Sequence, residues 1–225
     1  LYFLVLLSKN TTWKVIGRQF IDFTVVSISA GLSSCIMLLP TYLDLSTHGE
    51  KFSSFTEWFT DSSWFFDLFA KNFVGAYDTT KFGSIPMIYV GIFPLILAII
   101  FFTIKSIKWQ TRAAYGLMLL LIIASFYLEP LDLMWQGMHS PNMFLHRYSW
   151  TFSVLVILLA AETLSHLKEL ETRHYLTGLI PLAVGFLASA VLKNHYDFLE
   201  APQIVITFSF LIAYAIILLS HAKQY

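Results

Sequence analysis

The segment 129–150 holds the residues best suited to chemistry, because cationic, amide and aromatic side chains follow one another there. Arg147 and His146 stand directly before an apolar run, and a guanidinium at such a boundary is costly unless it meets an anion. The planar fork of Arg147 matches a lipid phosphate or a pyrophosphate in a bidentate manner. The alternative is an arginine that only anchors a membrane helix on phospholipid headgroups.

Tryptophan, glutamine, asparagine and tyrosine side chains around Arg147 could hold a sugar by hydrogen bonds and by ring stacking. Lys81, just before another apolar run, could assist Arg147 or His146 at a phosphate. The predicted substrate-binding residues are Arg147, His146, Trp135, Gln136, Asn142, Tyr148 and Lys81. No residue of this chain is assigned a catalytic role.

Other ionisable residues give weaker signals. Glu129 and Asp132 could form a carboxylate pair, but their spacing across Pro130 does not ensure a shared face, which favours simple helix-end polarity. The seven histidines show no metal-ligand spacing, so no metal site is predicted in this chain. A divalent cation in the full-length protein would need carboxylates from elsewhere.

Composition identifies the setting of these residues. Hydrophobic residues make up 57% of the chain, charged residues only 12%, and there are 21 Phe. Apolar stretches long enough to cross a membrane as helices occur near 20–39, 87–104, 113–128, 148–164, 175–192 and 203–220, with a clipped one at 1–8. The formal net charge is zero, which gives no electrostatic footprint for nucleic acid.

The distribution of basic residues predicts the orientation. The segments 9–19, 105–112, 165–174 and 221–225 carry nine of the 14 Lys and Arg residues, which places them in the cytoplasm. Loops 40–86, 129–147 and 193–202 are then extracytoplasmic. We therefore predict an all-α polytopic bundle of about six full spans plus a truncated one. The chain is one membrane domain, 1–225, and a fragment of a larger protein.

The long loop 40–86 is predicted to contain interfacial amphipathic helices, because aromatic residues recur in it at helical spacing. Its acidic residues, Asp67 among them, should face water. The segment either guides lipid tails or folds back to cover the bundle. Pro40 is expected to close the first complete span, and Pro94 to kink a later one.

Three motifs carry a family resemblance. Residues 132–137 (DLMWQG), 141–144 (PNMF) and 147–153 (RYSWTFS) resemble the outer-loop signature of the bacterial YfhO-like membrane proteins. Residues 86–91 (PMIYVG) are similar to the Pro-x-Ile-Tyr-x-Gly segment of that family. With the matching order of spans and loops, the resemblance covers nearly the whole chain.

The resemblance implies a glycosyltransferase that uses polyprenyl-phosphate sugars on the outer side of the bacterial cytoplasmic membrane. The expected partners are membrane lipids, the polyprenyl-phosphate sugar donor, a cell-envelope polymer acceptor such as lipoteichoic acid, and a donor-synthesising membrane glycosyltransferase. In this class an acidic residue of the first outer loop commonly acts as base or metal partner. That loop would precede Leu1, so this chain is expected to lack the catalytic acid.

Two other functions are weighed against the transferase. A lipid or lipid-linked-sugar flippase would share the many spans and the phosphate-binding arginine, but it should show charge at the membrane midplane or repeated halves. A noncatalytic membrane scaffold would need only the spans and the apolar loop. The polar segment 129–150 counts against the scaffold.

Overall fold

The computed structural model describes residues 12–48, 57–60, 64–76, 86–138, 145–196 and 198–222. Its helices are α1 (Trp13–His48), α2 (Asp67–Ala70), α3 (Ile92–Phe101), α4 (Trp109–Tyr127), α5 (Glu129–Trp135), α6 (Trp150–Ser165), α7 (Thr172–Val191) and α8 (Ala201–Ala222). Short 3-10 turns stand at Arg147–Ser149, Leu167–Glu169 and Lys193–His195. The predicted all-α class is confirmed for these ranges. The truncated span expected at 1–8 lies outside them.

Five helices of the described ranges are long and apolar enough to cross a membrane. They cover Trp13–Asp44, Trp109–Tyr127, Arg147–Ser165, Thr172–Val191 and Ala201–Ala222. These helices confirm a polytopic helical membrane bundle. The predicted number of six full spans is wrong for this part of the chain, because the segment 87–104 does not form a full-length helix.

That segment instead combines extended backbone with a short buried helix. Residues 86–90 carry no helix, Gly91 has φ +85°, and α3 then runs for 10 residues. Ten helical residues rise about 15 Å, roughly half of a hydrocarbon core. Non-helical backbone is tolerated at membrane depth where protein surrounds it, and α3 packs against α6, α7 and α8. Pro94 lies in the first turn of α3, where a backbone N–H would have no partner within the helix in any case. The lack of this N–H therefore does not kink the helix, and the predicted kink is wrong.

Helix α1 is longer than its apolar stretch. It runs unbroken through Pro40 to His48, so the expectation that Pro40 ends the first span is also wrong. A proline inside a helix removes one backbone hydrogen bond but does not force the chain to stop. Most side chains of α1 are exposed, and the apolar core is built from the helices that follow it.

Two glycines of α7 allow the centre of the bundle to close. A Cβ atom on Gly178 would come within 2.8 Å of the Ile96 carbonyl oxygen. The absence of a side chain at Gly178 therefore allows the backbones of α3 and α7 to make close contact. A Cβ atom on Gly185 would overlap the ring of Phe69, which belongs to α2. The short loop helix α2 therefore packs directly against α7.

The loops predicted to face outside meet at one end of the bundle, which we call the site end: residues 57–60, 64–76, 127–138, 145–149 and 192–196. Phe59 and Leu128 form an antiparallel bridge, and the Tyr196 hydroxyl donates a hydrogen bond to Asp67 at 3.0 Å. At the opposite end, Ser106 donates a hydrogen bond to Glu169. These contacts join described parts of the loops, while the bounds of the loops and the side of the membrane they face stay predictions.

Candidate functional site

A buried carboxylate, Asp132, organises the site end. Its Oδ1 atom lies 2.9 Å from Nδ1 of His146 and 2.8 Å from the Tyr148 hydroxyl. Its Oδ2 atom accepts a hydrogen bond from Gln136 Nε2 at 2.7 Å. Since Gln136 follows Asp132 by one helical turn, α5 presents both side chains on one face. We call Asp132, Gln136, His146, Tyr148 and Ser125 the Asp132 network.

Ser125 joins α4 to this network. Its backbone carbonyl lies 2.6 Å from the Tyr148 hydroxyl, and its side-chain oxygen accepts a hydrogen bond from the Trp135 indole N–H at 3.0 Å. The Tyr148 hydroxyl has one proton, which it can donate to the Ser125 carbonyl or to Asp132. The network therefore ties the end of α4, helix α5 and the start of α6 into one unit.

His146 is held in an unusual conformation. Its backbone is left-handed, with φ 56° and ψ 44°, which costs a non-glycine residue about 1–2 kcal/mol. The side chain is buried. Because Nδ1 faces a carboxylate, it carries a proton, and Nε2 is left to accept a hydrogen bond in the neutral ring or to donate one in the charged ring. Nε2 is buried and has no hydrogen-bond partner among the described residues.

Aromatic rings stack beside the network. Trp135 lies 5.3 Å from Tyr148 at an interplanar angle of 17°, and Tyr148 lies 5.6 Å from Phe126 at 19°. Trp135 is the outer ring of this stack and is half-exposed. One face of its indole is therefore used by the protein, and the rest of the side chain is accessible to a ligand.

The structure thus brings together four of the predicted substrate-binding residues: His146, Trp135, Gln136 and Tyr148. Arg147 stands between two buried neighbours, but its own side chain is exposed at the start of the span. Lys81 and Asn142 lie outside the described residues. The role of each in binding a substrate stays a prediction.

Asp132 is the residue that sequence reasoning undervalued. Both carboxylates lie in the first turn of α5, as the favoured helix-end interpretation has it, but they have different partners. Glu129 accepts a hydrogen bond from the backbone N–H of Glu57 at 3.1 Å, while Asp132 turns inward. The spacing of Asp132 and Gln136 was a usable signal, because a carboxylate and an amide one turn apart on a short helix share a face.

A second polar cluster, Asp67 with Lys71 and Tyr196, lies at the same end. Asp67 was expected to face water, yet it is buried and accepts hydrogen bonds from the Trp64 backbone N–H and the Tyr196 hydroxyl. Lys71 is only 2% exposed, and its ammonium lies 5.2 Å from the centre of the Phe198 ring. The expectation of solvated charges failed because Asp67 and Lys71 contact Tyr196 and Phe198 rather than water.

Burial changes the acid–base properties of this cluster. It raises the pKa of Asp67 above its usual range, although the hydrogen bonds from Trp64 and Tyr196 act in the opposite direction. It lowers the pKa of Lys71 to about 8, with the nearby Asp67 charge opposing the shift. The charge of His146 also acts on Asp67, so the cluster and the Asp132 network are electrostatic neighbours.

Within the described ranges, no group of three or more His, Cys, Asp or Glu residues could hold a metal ion. The described residues of the site end offer hydrogen bonds, the imidazoles of His146 and His195, and buried charges.

The lowered pKa of Lys71 predicts a specific pH dependence of stability. The folded protein releases the Lys71 proton near pH 8, whereas the unfolded chain keeps it up to about pH 10.4. Between these values the unfolded state binds more protons, so the free energy of unfolding should rise with pH, by about 2–3 kcal/mol for this group. Lys71→Met should lose this rise, measured as unfolding in detergent micelles between pH 7.5 and 10.5.

Lys193→Met is the matched control, because Lys193 is exposed at the same end of the bundle. Its stability curve should run parallel to that of the wild type. A Lys71→Met curve that is also parallel to the wild type would show that the folded and unfolded states hold the Lys71 proton equally well.

Comparison with known proteins identifies the family of the chain. The family model described as "Bacterial membrane protein YfhO" matches residues 1–225. Neither the curated proteins nor the solved structures give a significant match. The match spans the five candidate membrane helices and both polar groupings of the site end. The chain is a multi-pass membrane protein that belongs to the bacterial YfhO family.

Proposed function

We propose that this chain is part of a membrane glycosyltransferase. It moves a sugar from a polyprenyl-phosphate carrier to a cell-envelope acceptor, such as lipoteichoic acid, on the outer side of the cytoplasmic membrane. The observation that carries the proposal is the buried Asp132–His146 pair, which leaves one imidazole nitrogen without a partner among the described residues. Membership of a bacterial membrane protein family supports the setting.

The pair is suited to a leaving phosphate. Asp132 at Nδ1 orients the ring, and the Nε2–H of a protonated imidazole can donate a hydrogen bond to an anionic oxygen. In the transfer step the acceptor hydroxyl oxygen attacks the anomeric carbon, and the bond from that carbon to the phosphate oxygen breaks. The electron pair of that bond leaves with the polyprenyl phosphate. A donor placed where this charge develops contributes about 3–4 kcal/mol in other enzymes.

The proton of the acceptor hydroxyl needs a base. In the class that the resemblance implies, an acidic residue of the first outer loop commonly serves as base or metal partner, and we assign the base to such a carboxylate. A desolvated carboxylate within hydrogen-bond reach of the hydroxyl can take that proton. The residues described above then bind and orient the carrier, and the acid–base step falls to that carboxylate.

Arg147 and Trp135 extend the proposed site outward from the network. Arg147 is exposed at the start of a helix that is long and apolar enough to cross a membrane, and its guanidinium can hold the carrier phosphate as a bidentate partner. The accessible part of Trp135 can stack on a sugar ring, with Gln136 beside it. Lys81 and Asn142 complete the proposed binding set from outside the described residues.

A lipid-linked-sugar transporter is the second candidate, and one observation favours it. The extended residues 86–90 lead into the short buried helix α3, and broken helices of this kind often form substrate sites in transporters. The same assay separates the two functions. A transporter moves the intact carrier between leaflets, whereas a transferase releases the sugar from it.

Replacing His146 tests the proposed phosphate donor. His146→Gln keeps a hydrogen-bonding side chain but cannot become cationic, so sugar transfer should fall about 100- to 1,000-fold. The measurement is transfer of radiolabelled sugar from a defined polyprenyl donor by the intact protein in membranes. His166→Gln, at the opposite end of the bundle, should keep wild-type activity. Full activity of folded His146→Gln protein would end the proposal for this residue.

Replacing Arg147 tests the proposed carrier contact. Arg147→Ala should abolish detectable transfer at low donor concentration, since the phosphate loses its bidentate partner, while folded protein stays in the membrane. Arg173→Ala is the control, because Arg173 is an exposed arginine that pairs with Glu171 at 2.9 Å away from the site end. An Arg147→Ala variant with the wild-type KM for the donor would contradict the contact.

A further inference from the structure

An apolar cavity of about 220 Å³ lies among α2, α3, α4, α6 and α7. None of its lining residues belongs to the Asp132 network, and every one of them except Asn72 is apolar. It is larger than the roughly 150 Å³ apolar cavity that is known to bind benzene in another protein. A space of this size and lining suits a short stretch of hydrocarbon chain.

Asn72 is the polar residue of the cavity lining, and a hydrogen bond fixes the orientation of its side-chain amide. Its Nδ2 atom donates to the Leu68 carbonyl at 2.6 Å, and a carbonyl can only accept, so the amide cannot be flipped. The Oδ1 atom is therefore the group left over. It is buried, no described residue donates a hydrogen bond to it, and the whole residue is 2% exposed. A buried acceptor without a donor is destabilising by about 1–3 kcal/mol, which a ligand can relieve.

The cavity has a polar end and an apolar end. Asn72 and Leu68 line it near the site end, while Phe102 lines it where α3 has ended towards the opposite side. The eight residues from Leu95 to Phe102, at the end of α3, span about 10 Å. This arrangement fits a molecule with a hydrogen-bond donor at its head and a chain behind it.

We propose that the cavity binds a lipid whose chain lies along α3 and whose free hydroxyl donates a hydrogen bond to Asn72 Oδ1. A phosphodiester headgroup is disfavoured at this position, because its oxygens are acceptors and would face another acceptor. The cavity therefore selects a neutral lipid alcohol. This site is separate from the carrier site proposed above, and it does not depend on the transferase proposal.

Photolabelling of the wild-type protein tests the selection without any mutation. The two probes are a diazirine-bearing diacylglycerol, with a free hydroxyl, and its methyl ether, which has the same chains and no donor. In detergent–lipid micelles the diacylglycerol should label residues lining the cavity about tenfold more than the ether, as expected for one hydrogen bond to a buried acceptor. Labelled peptides are identified by mass spectrometry. Equal labelling by both probes overturns the proposal.

Matched variants test whether the lipid binds in this cavity. Ile123→Trp fills the cavity from α4 and should remove the labelling, whereas Leu120→Trp, at a position 65% exposed on the same helix, should leave it unchanged. Asn72→Leu should keep chain binding but remove the preference for the alcohol. Labelling that persists in folded Ile123→Trp protein, or a preference that persists in Asn72→Leu, overturns the assignment.

Discussion

The site end depends on one constraint: a buried carboxylate has to be surrounded by hydrogen-bond donors. Asp132 meets this requirement through Gln136, one turn along its own helix, and through His146 and Tyr148 at the start of the next span. Losing one donor would leave a buried charge poorly solvated, at a cost well above that of an ordinary hydrogen bond. The same requirement explains why His146 accepts a left-handed backbone, since that conformation brings Nδ1 to the carboxylate.

The second constraint is the need to pack a short helix in the centre of the bundle. Among the residues that precede it, Pro86 and Ile88 are buried while Met87 and Tyr89 are exposed, and helix α3 itself is too short to cross a membrane. Gly178 lets α7 approach its backbone, and Ser149 donates a hydrogen bond to the Met87 carbonyl at 3.1 Å. Because Ser149 immediately follows the Asp132 network, the packing of the core and the geometry of the site are linked.

Sequence reasoning succeeded where the relevant information is local. Hydropathy identified the long helices, because an apolar run long enough to span a bilayer has few other structures available. The segment 129–150 was recognised because its polar residues stand close together. It failed where a residue's environment is set from afar. Asp67 is buried because Tyr196, 129 positions away, reaches it, and no periodicity within residues 64–76 could show that.

The shape of residues 86–104 was beyond sequence reasoning for another reason. A buried apolar run has the same pattern whether it is helical or extended, so its periodicity does not reveal where α3 begins. Gly91, with its positive φ, marks that point, but a glycine in an apolar run has several explanations.

The most direct test of the account is a double-mutant cycle on Asp132 and His146, measured as the rate of sugar transfer by the intact protein. If Asp132 acts by orienting His146, then Asp132→Asn should add little to the loss already caused by His146→Gln, and the two effects will be strongly non-additive. Fully additive losses would contradict the account, because they would mean that the two residues act independently.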